Sequence, residues 1–549
     1  MSKIRILRNL GVVIALVAYV LSIATLNPAG AETSSVPVNV TASPTVGLVD
    51  GQAITVTVTA GSSFIYGIEA RQCSSTAGPI DYTADFSPTV SGKCTPTALG
   101  SAGADAYKTV TAVAPFSTAS LEFKVGKGSS GSFNLQSGGT ATVQCDETHA
   151  CKLTLLLQVQ GGTVFQSFPI GWDGMGARFN PITPVRILDT RTTNTPSGVA
   201  GRVPSGGTID LQITGDNGIP ADATAVVMNV TAVAPTGAGF ITVWPRGVTR
   251  PLSSNLNFAP GDIVPNLVTV GIGSNGQVSL YHQGGTNNLI ADVVGYYSPV
   301  NGDYFTPLTP VRALDTRTTN TPSGTAARVG QGGEISLTIA NANGVPADAT
   351  GVVLNVTAVG PTAAGYVTVY PNGVTRPLAS NLNFVPGDTI PNSVIVGIGS
   401  QGKVNLFNAN GTVNLIADIV GYYSPDNTGK QFFPITPVRA LDTRNGTGGF
   451  SAAVGQAATI DLDIRGANGI PNGAGAIVMN TTAVSPTVSS YLTVWPTGVA
   501  RPLASNLNYG VGDVIPNLVQ VGIGSNGKVS LYNNGGSVNL VADLTGYFA

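Results

Sequence analysis

The stretch LVTVGIGSNGQVSLYHQGGTNNLIADVVGYY (residues 267–297) holds three short apolar segments separated by Asn275-Gly276 and Gly284-Gly285. Asn-Gly is the strongest short hairpin signal, and a glycine pair also favours a tight turn. The stretch therefore predicts a meander of three antiparallel strands. The pattern returns at residues 393–423 and 518–548, with turns at Gln401-Gly402, Asn410-Gly411, Asn526-Gly527 and Gly535-Gly536.

Each copy belongs to a longer repeat that opens alike, with FNPITPVRILDTR (179–191), FTPLTPVRALDTR (305–317) and FFPITPVRALDTR (432–444). The repeats span residues 178–298, 304–424 and 431–549, and each has the length of a small domain. Because helical periodicity is missing, we predict three tandem antiparallel β-sandwich domains, with closed barrels as the alternative. The short polar connectors predict separate domains placed end to end, an arrangement that binds, spaces or displays more often than it catalyses.

The first residues read as an export signal. Lys3, Arg5 and Arg8 precede an apolar run at 10–26, and the small residues at 28–31 suit cleavage before Glu32. The alternative is a membrane anchor, since the run nearly suffices to span a bilayer. We predict a signal peptide at 1–31. The mature protein is then expected to be secreted and extracellular, free or associated with the cell wall, with no stable membrane insertion.

Charge is scarce, at 10% of residues with a net charge of −2. A chain without a basic face is not expected to bind nucleic acid. Amides and hydroxyls must solvate such a surface, and these groups suit neutral ligands such as glycans.

Residues 36–172 form a separate region, which holds all four cysteines. AITVTVTA (53–60) and KLTLLLQV (152–159) alternate with the period of strands that bury one face. An even cysteine count in an exported protein indicates disulfides; of three connectivities, the short loops favour Cys73–Cys94 and Cys145–Cys151. Asp146, Glu147 and His149 lie inside the second loop, but one histidine in an oxidising compartment does not lead us to predict a metal.

The segments VTASPTVGLVDGQAITVTVTAG (40–61), ARQC (70–73) and TVQCDETHACKLTL (142–155) resemble the neocarzinostatin family of enediyne apo-chromoproteins. The resemblance implies a seven-stranded immunoglobulin-like sandwich with two disulfides and a cleft for an apolar chromophore. By rough position, Phe116, Phe123 and Phe133 are the candidates to line such a cleft. The repeats look like a repeat of exported actinobacterial proteins for which no activity is established.

Three aspartates and three arginines recur in every repeat, whereas no lysine, histidine, glutamate or cysteine does. A carboxylate within an apolar strand such as 289–294 needs a cationic partner. We predict structural ion pairs among Arg186, Asp189, Arg191 and Asp292; Arg312, Asp315, Arg317 and Asp418; and Arg439, Asp442, Arg444 and Asp543.

Catalysis is the competing reading of these residues. Paired carboxylates could cleave a glycosidic bond if one stayed protonated, but no acid stands out in an apolar pocket. His282 is replaced by Asn408 and Asn533 in the other copies, so a serine nucleophile lacks a recurring base. A lysine–asparagine crosslink lacks its lysine. We predict no enzyme, no catalytic residue and no cofactor.

A recurring aromatic residue and the RPLSSNLNF-type segment after it are the candidate ligand site. A ring can stack on a sugar while asparagine and arginine donate to its hydroxyls; alternatively the ring packs in the core and the asparagines bond local backbone. Three weak sites would gain from avidity. The candidates are Trp244, Arg250, Asn255 and Asn257; Tyr370, Arg376, Asn381 and Asn383; and Trp495, Arg501, Asn506 and Asn508.

The sequence thus predicts an exported, non-catalytic protein of four β-domains that acts in cell-envelope or extracellular binding and adhesion. Cell-wall or host glycans are the expected partners, bound through the repeats. The alternative is an N-terminal domain that sequesters an apolar small molecule, as the family resemblance implies.

Overall fold

The computed structural model describes residues 38–43, 48, 50–60, 64–74, 92–100, 104–111, 118–146, 149, 151–160, 162–170, 175–193, 195–318 and 326–549. These residues confirm the all-β prediction, since strands dominate and only two single 3-10 turns occur, at Ser274–Gly276 and Ser400–Gly402. Within them, no helix has the length and apolar character needed to cross a membrane. The predicted signal peptide lies outside the described residues.

The N-terminal domain is a sandwich of a three-stranded and a four-stranded sheet, ordered β1-β2-β5 and β11-β10-β3-β4. The alternation in the sequence places Leu153, Leu155 and Leu157 inward, in the core between the sheets. The strands are β1 Asn39–Ser43, β2 Ala53–Thr59, β3 Ile65–Ser74, β4 Tyr107–Thr111, β5 Thr118–Lys124, β6 Gly128–Ser129, β7 Phe133–Asn134, β8 Thr140–Ala141, β9 Gln144–Cys145, β10 Cys151–Val159 and β11 Gly162–Ile170.

The first repeat contains eight principal strands and the short β13, which pairs with β20. Its strands are β12 Arg178–Asp189, β13 Val203–Pro204, β14 Thr208–Gln212, β15 Ala225–Val233, β16 Gly239–Pro245, β17 Leu256–Phe258, β18 Ile263–Gly271, β19 Gln277–Gln283 and β20 Thr286–Ser298. The two sheets have the orders β12-β20-β15-β18 and β14-β19-β16-β17. Counting the eight principal strands, these are 1-8-3-6 and 2-7-4-5, which is the jelly-roll form of the sandwich.

The second and third repeats have the same strand order. The second consists of β21 Tyr304–Asp315, β22 Glu334–Thr338, β23 Gly351–Val359, β24 Gly365–Pro371, β25 Leu382–Phe384, β26 Thr389–Gly397, β27 Lys403–Asn408 and β28 Asn414–Ser424. The third consists of β29 Phe432–Asp442, β30 Thr459–Asp463, β31 Ala476–Val484, β32 Ser490–Pro496, β33 Leu507–Tyr509, β34 Val514–Gly522, β35 Lys528–Asn533 and β36 Asn539–Phe548.

The predicted three-stranded meander is wrong, although its strands and turns exist. Strand β18 pairs with β15, and β19 pairs with β14 and β16 in the opposite sheet. Asn275 and Gly276 do adopt the positive φ of a tight turn, 60° and 70°. The turn passes the chain across the sandwich, because both strands must turn an apolar face towards the core between the sheets.

The three repeats pack around one common axis, on which β18, β26 and β34 contact one another pairwise. Each repeat keeps a core of its own, and a further buried cluster joins residues of all three. Strand β15 shows how both cores arise: Met228 and Val230 point into the repeat's own core, whereas Ala225 and Val227 belong to the shared cluster. We call this unit, residues 178–549, the head.

A closed ring of six aromatic side chains forms the centre of the shared core. Neighbouring centroids lie 4.3–5.2 Å apart in the order Phe179, Tyr297, Phe432, Phe548, Phe305 and Tyr423, and Tyr423 meets Phe179 again. The glycine of each recurring GY pair makes room for a ring: a Cβ on Gly295 would lie 2.4 Å from the Phe179 ring. The prediction of repeats placed end to end is therefore wrong, because each repeat buries a second sheet face against its neighbours.

Candidate functional site

The recurring charges form a four-membered network in each repeat. Arg186 donates through Nε and Nη2 to both carboxylate oxygens of Asp292, at 2.8 and 3.0 Å, and its Nη1 lies 3.4 Å from Asp189 Oδ2. Arg191 makes a second two-bond pair with Asp189, at 2.8 and 2.6 Å. The other repeats reproduce this geometry within a few tenths of an ångström.

The pKa values of the two aspartates in the network are shifted in opposite directions. The side-chain hydrogen bonds from Arg191 lower the pKa of Asp189. Burial raises the pKa of Asp292, against the opposing effect of the hydrogen bonds from Arg186. Asp292 is 1% exposed, so its two bonds to Arg186 are what compensate a carboxylate inside the fold.

The network also joins the repeats, which the sequence did not indicate. Nη2 of Arg312 donates to the carbonyl of Leu503 in the third repeat, at 2.7 Å. Nη2 of Arg439 donates to the carbonyl of Leu252 in the first repeat, at 3.0 Å. The arginines therefore hold their own aspartates and the RPL segment of a neighbour together.

Buried asparagines, which were not among the predicted site residues, add further hydrogen bonds between the repeats around the axis. Asn229 donates to Ser380 O, Asn355 to Ser505 O and Asn480 to Ser254 O, at 2.6–2.7 Å. A second set, Asn266, Asn392 and Asn517, donates to the side chains of Asn480, Asn229 and Asn355, at 2.8–3.1 Å. An asparagine repeated within an apolar strand of every copy was the available signal, since a polar group buried there needs a partner.

The rings proposed for sugar stacking are buried, so that part of the ligand-site prediction is wrong. Trp244, Tyr370 and Trp495 are 5–7% exposed. They lie on the outer face of their sheet, but the chain folds back across that face. Trp244 Nε1 donates to Val248 O, and Thr242 Oγ1 donates to Ser253 O of the covering segment.

The first asparagine of each segment is also structural. Asn255 is 3% exposed, and its Oδ1 accepts the backbone N–H of Val243 at 2.7 Å. Asn381 and Asn506 accept the equivalent bonds from Val369 and Val494. These three asparagines hold the covering segment on the sheet and are not available to a ligand.

The three predicted ligand arginines are exposed, but each lies over a ring of its own repeat. Arg250 stacks on Tyr281, Arg376 on Phe407 and Arg501 on Tyr532, at 3.6–3.7 Å from the ring centroids. Such cation–π contacts fix the guanidinium while leaving its edge open to solvent.

The last asparagines of the prediction, Asn257, Asn383 and Asn508, are partly exposed and lie at one end of the axis. There each faces a Gly-Asp loop of a neighbouring repeat, and a partly exposed ring lies beside it: Phe240, Tyr366 or Tyr491. We call this end the axial end. The accessible rings therefore lie four residues before the buried ones. The period of the strand does not distinguish the two positions, because both point to the same face.

Two clefts open at the axial end. The larger has a volume of about 1270 Å³ and joins two of the three equivalent positions, with Phe240 of the first repeat and Tyr366 of the second on its walls. The smaller, about 590 Å³, lies between the third and second repeats and is lined by Tyr491 and Asn508. Leu378, which is 79% exposed, is part of the lining of the larger cleft.

Three carboxylates line these clefts. Oδ2 of Asp262, Asp388 and Asp513 accepts a backbone N–H of its own loop, at 2.6–2.7 Å. Burial raises the pKa of Asp388. Oδ1 of each makes no hydrogen bond within the described parts of the chain, so it can accept a hydrogen bond from a ligand hydroxyl.

The N-terminal domain contains the predicted disulfides, Cys73–Cys94 and Cys145–Cys151, which confirms that pairing. Phe123 is fully buried in the core and cannot line an open cleft, contrary to its candidate role. Phe133 is partly buried against the same core, and Phe116 lies outside the described residues. The Asp146 carboxylate lies 2.9 Å from Nδ1 of His149. No metal-binding group of His, Cys, Asp or Glu was found among the residues described.

No protein-family model and no curated protein sequence matches the chain. Among solved structures, one from work titled "The Triple Jelly Roll Fold and Turret Assembly in an Archaeal Virus" is 8% identical, with a TM-score of 0.14. The match covers 68% of this chain and 90% of that one. A second, from "Life in the extremes: atomic structure of Sulfolobus Turreted Icosahedral Virus", is 9% identical, with a TM-score of 0.13, and covers 73% and 90%. Neither likeness is close enough to carry an argument.

Proposed function

We propose that the protein is an exported, non-catalytic binding protein of the cell envelope or extracellular space, in which the three repeats act as one head. The observation that carries this proposal is the closed arrangement of the repeats, which brings three equivalent aromatic, amide and carboxylate sets to the axial end. Adhesion or glycan binding suits these groups, because rings cover apolar sugar faces while amides and carboxylates bond hydroxyls.

The proposal that the protein is not an enzyme is supported by the structural roles of the recurring aspartates. Asp189 and Asp292 are held in arginine pairs, and Asp262 caps its own loop. His282 is fully buried, with Nδ1 3.1 Å from Pro204 O. Asn408 of the second repeat occupies the same position and donates to Val329 O, so this site supports the fold.

The test presents the full exported chain to a panel of purified cell-wall and host glycans. Leu378→Asp places a charge in the lining of the larger cleft without entering the core, and we expect it to weaken binding at least about tenfold. Leu503→Asp is the matched control, because Leu503 is equally exposed but lies outside both clefts. Binding to no glycan, or equal losses in both variants, would contradict the proposal.

A further inference from the structure

The three positions at the axial end are equivalent by sequence but unequal in shape. The positions of Phe240 and Tyr366 open into one continuous cleft, which also contains Val514 and Ile515 of the third repeat. Tyr491 lines only the smaller cleft, which adjoins the larger one along Asp388, Ile390, Asp513 and Ile515. A ligand in the larger cleft can therefore contact all three repeats at once, whereas one in the smaller cleft contacts two.

The size and openness of the larger cleft favour an extended ligand. Its volume of about 1270 Å³ exceeds the ~300–1,000 Å³ typical of pockets that enclose a small molecule. Phe240 and Tyr366 belong to different repeats, and both keep part of their ring surface accessible, 37% of the residue in the case of Tyr366. Two rings on one open cleft suit a chain with repeated apolar faces.

The charges of the cleft do not favour a polyanion. Three arginines line it, but two of them, Arg186 and Arg191, are already paired with Asp189 and Asp292. The lining also contains three aspartates with one open oxygen each. The three lining arginines and the three lining aspartates balance, and two of those arginines are already held by buried acids, so the cleft has no positive excess to attract an anionic chain.

We infer that the larger axial cleft binds one segment of a neutral linear polysaccharide, which crosses the axis between Phe240 and Tyr366. The inference rests on the proposed function and sharpens it: the head takes one chain, not three. The rings contact apolar sugar faces, Asn257 and Asn383 donate to hydroxyls, and the open oxygens of the aspartates accept from them.

The experiment is calorimetric titration of the full chain with soluble cello-, malto- and chito-oligosaccharides, from the disaccharide upward. We expect one series to bind with one site per chain and to tighten at least about tenfold with length. Tyr366→Ala should weaken the longest member by about tenfold or more. Tyr491→Ala is the matched control, since it removes the equivalent ring from the smaller cleft, and should change affinity less than about twofold.

The outcomes separate the inference from the proposed function. Three sites per chain, or equal losses in the two tyrosine variants, would overturn the inference while leaving glycan binding by the head intact. Tighter binding of an anionic polysaccharide such as polygalacturonate would do the same. If none of the three series binds, the inference fails, and the glycan panel with Leu378→Asp decides the proposed function separately.

Discussion

Phe305→Ala tests whether the three repeats unfold as one body. Phe305 belongs to the second repeat, is fully buried, and packs against Phe548 of the third repeat and Tyr423 of its own, with centroids 4.5 and 5.2 Å away. A buried aromatic ring removes ~150–250 Å² from water, which at ~25 cal/mol/Å² is about 4–6 kcal/mol. Core Phe→Ala substitutions cost ~3–5 kcal/mol, so we expect a loss of about 4 kcal/mol.

The melting temperature distinguishes one cooperative body from three. If the head of about 370 residues unfolds together, its unfolding entropy is ~0.8 kcal/mol/K, and the loss lowers its melting temperature by ~5 °C. If the second repeat unfolds alone, its about 120 residues have an unfolding entropy of ~0.25 kcal/mol/K. The melting temperature of that repeat then falls by ~16 °C, and only about a third of the total unfolding enthalpy is displaced.

Differential scanning calorimetry of the full chain measures both quantities. We expect one head transition with an enthalpy of ~260 kcal/mol, displaced as a whole by the substitution. Phe384→Ala is the control, because Phe384 is buried in the second repeat's own core and not in the shared cluster. Three resolved head transitions, or a Phe305→Ala variant as stable as the parent, would refute the reasoning.

Further predictions concern the disulfide and the charge network. Replacing Cys73 and Cys94 by serine should cost the N-terminal domain about 3 kcal/mol in calorimetry, through the loop of 21 residues that the disulfide closes; the head has no cysteine, and its transition should not move. Asp418→Ala removes the carboxylate that the largely buried Arg312 bonds through Nε and Nη2 and should cost ~3 kcal/mol or more in thermal unfolding; Asp388→Ala, which removes one loop hydrogen bond, should cost about 1 kcal/mol. Hydrogen bonds from Arg317 lower the pKa of Asp315 in the folded protein, so its contribution is present above the unfolded value of about 3.9 and is lost as pH falls through the folded pKa. Melting temperatures measured at descending pH should fall less steeply in Asp315→Asn than in the parent, and parallel curves would contradict this assignment.

The period-two pattern was enough to predict the fold class and individual strands such as β2, β10 and β15. The alternation Val226, Met228, Val230 marks the inner face of β15, and those residues do lie in the repeat's core. The same strand carries Val227 on its other face, an apolar residue that an isolated sandwich would leave in water. The second apolar face of β15 was the sequence signal for the shared core. The period-two pattern does not show, however, what covers that face.

The candidate site could be predicted only in part, because the exposure of its rings depends on where the chain runs after β16. Sequence spacing places Trp244 and Phe240 on the same outer face of β16. Which ring stays accessible depends on the segment after the strand, whose carbonyl at Val248 accepts the Trp244 N–H. The path of this covering segment decides which of the two rings is exposed, and the period of the strand carries no information about that path.

Joining three repeats in one chain permits differences that three identical subunits would not have. Around the axis the equivalent residues Thr269, Ile395 and Gln520 differ, and so do Tyr297, Tyr423 and Phe548. Gln520 donates to the Tyr423 hydroxyl, which also contacts the Tyr297 hydroxyl at 2.6 Å, and Phe548 brings no third hydroxyl to satisfy. The hydroxyl groups of Tyr297 and Tyr423 are therefore joined by a single set of hydrogen bonds, which the three repeats do not have to reproduce three times. The same freedom at the axial end allows Phe240, Tyr366 and Tyr491 to line clefts of unequal size, so a head built from nearly equal repeats can present one preferred site for an asymmetric chain.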